Sequence, residues 1–295
     1  MKAIWFERYG GPEVLRFGAV PAPKAGPGEV IVEVAAIGVN PADGKWRAGL
    51  FAAQVPLTFP HIPGYDLAGR EAGTGRRVAA MLDPLRHGAY AERAAVASGS
   101  LAEVPDGLSL DLAAALPTPG LTGLQLIEDD LAAQPGQRLL VTGACGMVGR
   151  FAVHAARQRG CEVIAAVRAD RRDEAIALGA DHVVTLGEEA WTGPPIDAVA
   201  DTVGGAVVAD VCAGVRATGA ICTVATLPIP GEALRLEPRF CAVRPDSERL
   251  SRLLRTVAAG AVPVPIAARM QLEDAAKAHR RLEAGRADGK LILLP

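Results

Sequence analysis

Aromatic side chains are few in this sequence: three tryptophans, three tyrosines and six phenylalanines among 295 residues. They are not interleaved with a basic stripe, and the formal net charge is −2. Nothing here offers the stacking and electrostatic platform that nucleic acid needs, or a pull towards an anionic membrane. Long hydrophobic runs are missing as well. No stretch reaches the ~18 uncharged apolar residues of a spanning helix, and the start, "MKAIWFERYGG", lacks the apolar segment of a signal peptide. A cytoplasmic protein is the expectation. The five cysteines, Cys145, Cys161, Cys212, Cys222 and Cys241, include no CxxC pair. That argues against a disulfide framework and a four-thiolate zinc lobe, and for buried free thiols. Of the histidines, His61, His87, His154, His182 and His279, no two have metal-ligand spacing.

What the chain does have is a change of texture near residue 110. Before it, strand-like runs are separated by turn signals: "KAIWFER" (2–8), "EVLRFGAV" (13–20), "GEVIVEVAAIGVN" (28–40), "RRVAAML" (76–82) and "YAERAAV" (90–96). Ser109 is placed to cap a short helix, and the apolar spacing after Pro119 suits a longer one. From residue 137 strands and helices alternate: "RLLVT", a helix over 148–159, "CEVIAAV", "RRDEAIAL", "HVVT", "IDAVADT", a helical stretch over 205–213 and "AICTVA". Such alternation implies parallel strands joined by right-handed crossovers, a doubly wound α/β sheet. Two helix-like stretches, 247–260 and 272–285, and a closing strand, "GKLILLP", end the chain.

Within the alternating part, "VTGACGMVGRFAVHAARQRG" (141–160) places Gly143, Gly146 and Gly149 between a strand and a helix. Val148, Phe151, Ala152, Ala155 and Ala156 form the stripe of a helix buried against a sheet. A helix held that way aims its free N–H groups and positive dipole end at the loop, where pyrophosphate is favoured. The GxxGxxG spacing is one residue longer than the commonest dinucleotide fingerprint. A glycine turn of purely structural use is the alternative. NAD sites place an acid ~20 residues further on, for the ribose hydroxyls. Here that place reads "VIAAVRADRR", with no acid at the strand end. Arg168, and after it Arg172, are placed to hold a 2′-phosphate, unless they are merely solvated residues at a helix start. NADPH is the expected cofactor.

Nine segments, in order along nearly the whole chain, carry a resemblance: "YGGPEVL", "GVNPADGKWRAG", "PGYDLAG", "GAYAE", "AAALPTPGLTG", "VTGACGMVG", "LGAD", "DTVGG" and "GKLILLP". The chain resembles the zinc-free medium-chain dehydrogenase/reductase superfamily, in its quinone oxidoreductase branch related to zeta-crystallin. The resemblance implies a GroES-like β-rich substrate domain over residues 1–118 and a Rossmann NADP-binding domain over 119–246. The segment 247–295 would rejoin the first domain. It places Asn40 near the nicotinamide ribose and the substrate. It places cofactor contacts on the loop residues Gly143, Ala144, Gly146, Met147, Val148 and Gly149, and on Thr122, Thr202, Val203, Val224 and Ala225. Asp43 and Lys45 read as a structural ion pair.

Zinc-dependent relatives carry a cysteine near 38 and a His-Glu pair near 65–66, where this chain has Gly38 and Tyr65–Asp66, so no metal is expected. Tyr65 is a candidate polariser or proton donor, with a packing ring as the alternative. The link "REAGTG" (70–75) is shorter than the family usually has, which trims a strand or hairpin. A homodimer is implied, for which "AICTVA" and the region after it offer a strand edge, with an ordinary core strand as the alternative. The chemistry expected is hydride transfer from NADPH to a quinone, with an enone or enoyl acceptor as the alternative. A non-catalytic NADPH-binding protein is the alternative of another class, because no residue is compelled to be a catalyst.

Overall fold

Burial alternates along the longest strand, where Val32, Val34 and Ala36 are buried and Glu33 and Ala35 are exposed. This is the pattern of a strand with one face on a core. The computed structural model describes residues 1–86, 88–231, 234–285 and 287–295, so His87 lies outside the described residues. The chain divides into two units, Met1–Thr118 with Pro245–Pro295, and Pro119–Arg244.

In the first unit, β1 (Lys2–Trp5) pairs antiparallel with β2 (Arg16–Ala19). A seven-stranded sheet contains β3 (Glu29–Val39), β4 (Asp66–Glu71), β5 (Arg77–Met81), β6 (Arg93–Ala97) and β7 (Ala102–Glu103). It is completed by β14 (Ile266–Gln271) and β15 (Lys290–Leu294) from the chain's end. The order is β14-β15-β3-β4-β5-β7, with β6 also on β3. The last strand therefore pairs beside the "GVN" end of β3, Leu291 opposite Val39. The helices of this unit are α1 (Pro41–Arg47), α2 (Leu110–Ala114), α7 (Ser247–Ala258) and α8 (Ala275–Glu283). Pro41 opens α1 at a position that needs no N–H donor, and Asp43 reaches back to the Asn40 N–H. Asp246 caps α7 by accepting from Arg249 N.

Some local readings shift. Pro12 fixes a short 3₁₀ turn over Pro12–Val14, so the strand expected over 13–20 is reduced to β2. Strands β4 and β14 were not anticipated. The short link after β4 is a tight hairpin, with β4 and β5 in register from Asp66–Met81 to Arg70–Arg77.

The second unit begins within α3 (Pro117–Gln125), which runs into a π-helical turn over Leu126–Asp130. Its prolines at 117 and 119 sit in the first turn, so the helix starts two residues earlier than expected. Then follow β8 (Arg138–Thr142), α4 (Gly149–Gln158), β9 (Glu162–Val167), α5 (Arg172–Ala177), β10 (His182–Thr185), β11 (Ile196–Asp201), α6 (Ala209–Cys212), β12 (Val215–Thr223) and β13 (Arg239–Phe240). All pairs in this sheet are parallel, in the order β10-β9-β8-β11-β12-β13. Counted from its first strand this is 3-2-1-4-5-6, the Rossmann order. Leu139, Leu140 and Val141 on β8 and Val163 to Ala166 on β9 are fully buried, as parallel strands covered on both faces must be. The "AICTVA" stretch is not a bare edge, because β13 pairs with Cys222 and Thr223.

Candidate functional site

In a doubly wound sheet the crevice opens where the strand order reverses, beyond the strands' carboxyl ends. Here that point lies between β8 and β11, and the glycine loop follows β8. Gly143 has φ +62°, and a Cβ there would come within 2.7 Å of Thr202 Oγ1 and of the Val203 side chain. A Cβ on Gly149 would overlap Gly143 O. The loop is thus folded back on itself and needs both glycines. Gly146 is roomier, its added Cβ meeting only Gly143 O at 3.0 Å. Val148 stands at the N-cap of α4 and has no side-chain oxygen to cap it. The Arg150 and Phe151 N–H groups turn back to Gly146 O and Val148 O, both at 3.1 Å, and the positive dipole end of the helix meets the glycine loop. Phe151, Ala152, Ala155 and Ala156 are buried as the stripe required. Gly123 on α3 packs on the start of α4, where a Cβ would sit 2.7 Å from Val148 O.

One buried carboxylate, missed in the sequence, ties these strand ends together. Asp201 Oδ1 accepts from Thr142 Oγ1 (2.5 Å), Val203 N (3.1 Å) and Gly204 N (3.0 Å). Its Oδ2 accepts from Thr223 Oγ1 (2.5 Å). Thr202 in turn donates its hydroxyl to Thr142 O and its N–H to Thr142 Oγ1. Val224 N bonds Asp201 O, and Ala225 N bonds Thr223 Oγ1. Thr202, Val203, Val224 and Ala225 are therefore gathered with the glycine loop at the ends of β8, β11 and β12, and Thr122 lies buried in α3. The available signal was an acid closing an apolar strand in "DTVGG". Arg150, fully buried, also holds the loop by donating to Cys145 O (2.6 Å) and to Glu174 (2.9 Å).

At the end of β9, Arg168 has an exposed side chain paired with Asp170 at 3.1 Å. Arg172 differs from the expectation of a spare phosphate ligand. Its guanidinium donates to Thr185 Oγ1 (2.8 Å), Val183 O (3.2 Å) and Glu189 (3.0 Å), bracing α5 against β10.

In the first unit the residues of "GVNPAD" and "GYD" join a buried polar cluster. Asn40 Nδ2 donates to Asp66 Oδ2 (2.8 Å) and Gly38 O (3.3 Å), and its Oδ1 accepts from Lys290 Nζ (2.6 Å). Its amide is spent inside the protein. Asp66 Oδ1 accepts from Thr118 N and Oγ1, and its Oδ2 also faces Lys290 at 3.2 Å. Burial lowers the Lys290 ammonium from its ordinary value, against the pull of Asp66 and Asp43. A lone lysine opening an apolar strand was its only trace in the sequence. Asp43 pairs with Asn40 N and the Tyr90 hydroxyl rather than with Lys45, because the carboxylate turns back to cap α1.

Tyr65 is nearly buried and accepts from Trp46 Nε1 at 2.5 Å. Burial raises its hydroxyl well above the ordinary tyrosine value. Tyr65 lines a small pocket with Phe6, Asp43, Trp46 and His61. Among the described residues no group of three or more His, Cys, Asp or Glu side chains is placed to hold a metal ion.

Comparison with known proteins agrees with this architecture. The family description "Alcohol dehydrogenase GroES-like domain" matches residues 26–106, and "Zinc-binding dehydrogenase" matches residues 178–293. A quinone oxidoreductase of Pseudomonas aeruginosa is 29% identical, over 100% of this chain and 99% of its own length. The crystal structure of Escherichia coli quinone oxidoreductase complexed with NADPH superimposes with a TM-score of 0.86 at 25% identity, over 100% of each chain. A structure described as an NAD-dependent alcohol dehydrogenase superimposes with a TM-score of 0.88 at 29% identity, also over 100% of each chain. The chain belongs to the medium-chain dehydrogenase/reductase superfamily and is an oxidoreductase.

Proposed function

We propose that the protein is an NADPH-dependent, zinc-independent reductase that passes hydride to a quinone-like acceptor. The observation that carries this reading is the glycine loop at the switch point of a 3-2-1-4-5-6 sheet, with an uncapped helix behind it. When bound there, NADPH supplies the hydride. The chain's own residues do the rest. The start of α4 holds the pyrophosphate. Arg168 exchanges Asp170, an exposed partner worth little in water, for the 2′-phosphate, and Arg172 keeps the β10 end in place. Asn40 orders α1 through its internal bonds.

Zinc independence is supported by the donor set. Both oxygens of Asp66 are already occupied, Oδ1 by Thr118 and Oδ2 by Asn40 Nδ2 and Lys290 Nζ. Tyr65 suits polarisation. Trp46 can only donate, so the Tyr65 oxygen accepts and its own O–H is left to point at an acceptor's carbonyl oxygen. An enone would use the same groups. Steady-state NADPH consumption with a panel of quinones and α,β-unsaturated carbonyls tests the reading. Acceleration by quinones supports it. Tight NADPH binding with no acceptor raising consumption would favour a non-catalytic binder.

A further inference from the structure

We propose that Asp43 is the proton reservoir of the Tyr65 pocket, carrying a proton on Oδ1 and releasing it into the pocket the two residues share. This rests on the reductase reading, in which reduction of a quinone to its hydroquinone consumes one proton for each hydride.

Hydrogen-bond direction assigns the proton to one oxygen. Arginine has only donors. Arg47 Nη1 lies 2.9 Å from His279 Nδ1, so Nδ1 accepts and the ring proton sits on Nε2. Burial, aided by Arg47, depresses His279 to about 3, and the ring is neutral. Its Nε2–H donates to the Tyr90 oxygen at 3.1 Å, and the Tyr90 O–H donates to Asp43 Oδ2 at 3.0 Å. The Asn40 N–H donates to the same oxygen at 2.8 Å. Two donors on Oδ2 leave Oδ1 as the place for a proton. Oδ1 is buried and has no hydrogen-bond partner among the described residues. Such an orphan is costly as a carboxylate oxygen and useful as a hydroxyl.

The surroundings keep that proton at neutral pH. Burial dominates and the Asp66 charge adds to it, while Asn40 N–H, Tyr90 and Lys290 oppose, and Asp43 is raised to about 7. Asp43 lines one pocket together with Tyr65, Trp46 and His61. The Tyr65 oxygen is held by the Trp46 N–H, so its O–H can donate elsewhere. The atoms balance simply. The conjugated acceptor takes the hydride and its electron pair, the carbonyl oxygen on which the negative charge then develops takes the Tyr65 proton, and the Tyr65 oxygen takes the Asp43 proton through water. Solvent then reloads Asp43.

Infrared titration of the purified protein, without cofactor, reads the reservoir directly. A carboxylic-acid C=O band that disappears with a midpoint at about 7, and is absent in Asp43→Asn, is the expected result. Tyr90→Phe removes a donor from the carboxylate form and should move that midpoint upward. In turnover with NADPH and a quinone, the wild-type rate should fall as pH rises through the same midpoint. Asp43→Asn should be slower by about 10²-fold and flat there. A midpoint in the ordinary carboxylate range near 4, or an Asp43→Asn enzyme with the wild-type rate and pH profile, overturns the proposal. A protein that shows the band at neutral pH but reduces no acceptor contradicts the reductase reading and leaves the placement of the proton standing.

Discussion

Glycine, arginine and aspartate each do work in this chain that their neighbours decide. Gly146 and Gly149 are equivalent in sequence yet differ in space. Alanine at 149 overlaps Gly143 O, whereas at 146 it asks Gly143 O to yield by a few tenths of an ångström. Gly149→Ala should therefore cost about 2 kcal/mol in denaturant unfolding and at least tenfold in NADPH affinity, with Gly146→Ala near wild type in stability. Arg168→Ala should weaken NADPH about tenfold, the worth of one charge-assisted contact, and NADH hardly at all in calorimetric titration. Equal losses for both nucleotides would remove Arg168 from the 2′-phosphate. Arg172→Ala belongs to stability instead, because its guanidinium is committed to Thr185, Val183 and Glu189.

Among the elements, the ends of β8, β11 and β12 are held by a carboxylate rather than by their own ladders alone. Asp201→Ala strands two hydroxyls and two N–H groups and should cost about 3 kcal/mol. Asp201→Asn should cost much less, since its Nδ2 can donate to a reoriented Thr223 hydroxyl. Thermal unfolding of the two variants separates these outcomes. Around α1 and α8, Asp43 and His279 act on pH stability with opposite sign. Asp43, raised to about 7 when folded, contributes stability below its ordinary value near 4 that is lost as pH rises towards 7. His279, depressed to about 3, contributes stability above its ordinary value near 6.5 that is lost as pH falls. Between these limits the two slopes oppose each other. Asp43→Asn should uncover the His279 slope, with stability rising by about 1.4 kcal/mol per pH unit from pH 4 to 6. A variant as flat as the wild type over that window would contradict the assignment.

Over the whole molecule, strand and helix periods in the sequence point to the doubly wound sheet, because buried parallel strands are uninterrupted apolar runs and the helices carry plain stripes. The glycine loop could be found by its neighbours on either side. Contacts far apart in sequence could not. Lys290 meets Asn40 from 250 positions away, and Tyr90 and His279 meet Asp43 only once the chain's end returns to the first unit. Nothing local marks such residues, since burial alone turns them from surface charges into a network. The ion pair that the resemblance suggested between Asp43 and Lys45 is not formed, because the cap of α1 took the carboxylate. What the superfamily leaves open is the direction of the chemistry, hydride onto a quinone-like acceptor from NADPH without a metal. The most direct measurement is the transfer itself, followed in a single turnover with NADPH deuterated at C4, a quinone acceptor and a metal chelator present throughout. The account predicts label in the reduced product or its exchanged water, a slower transfer with deuterium, and no loss of rate on chelation. Oxidation of NADPH no faster than without enzyme, or activity that vanishes with the chelator and returns with zinc, would contradict it.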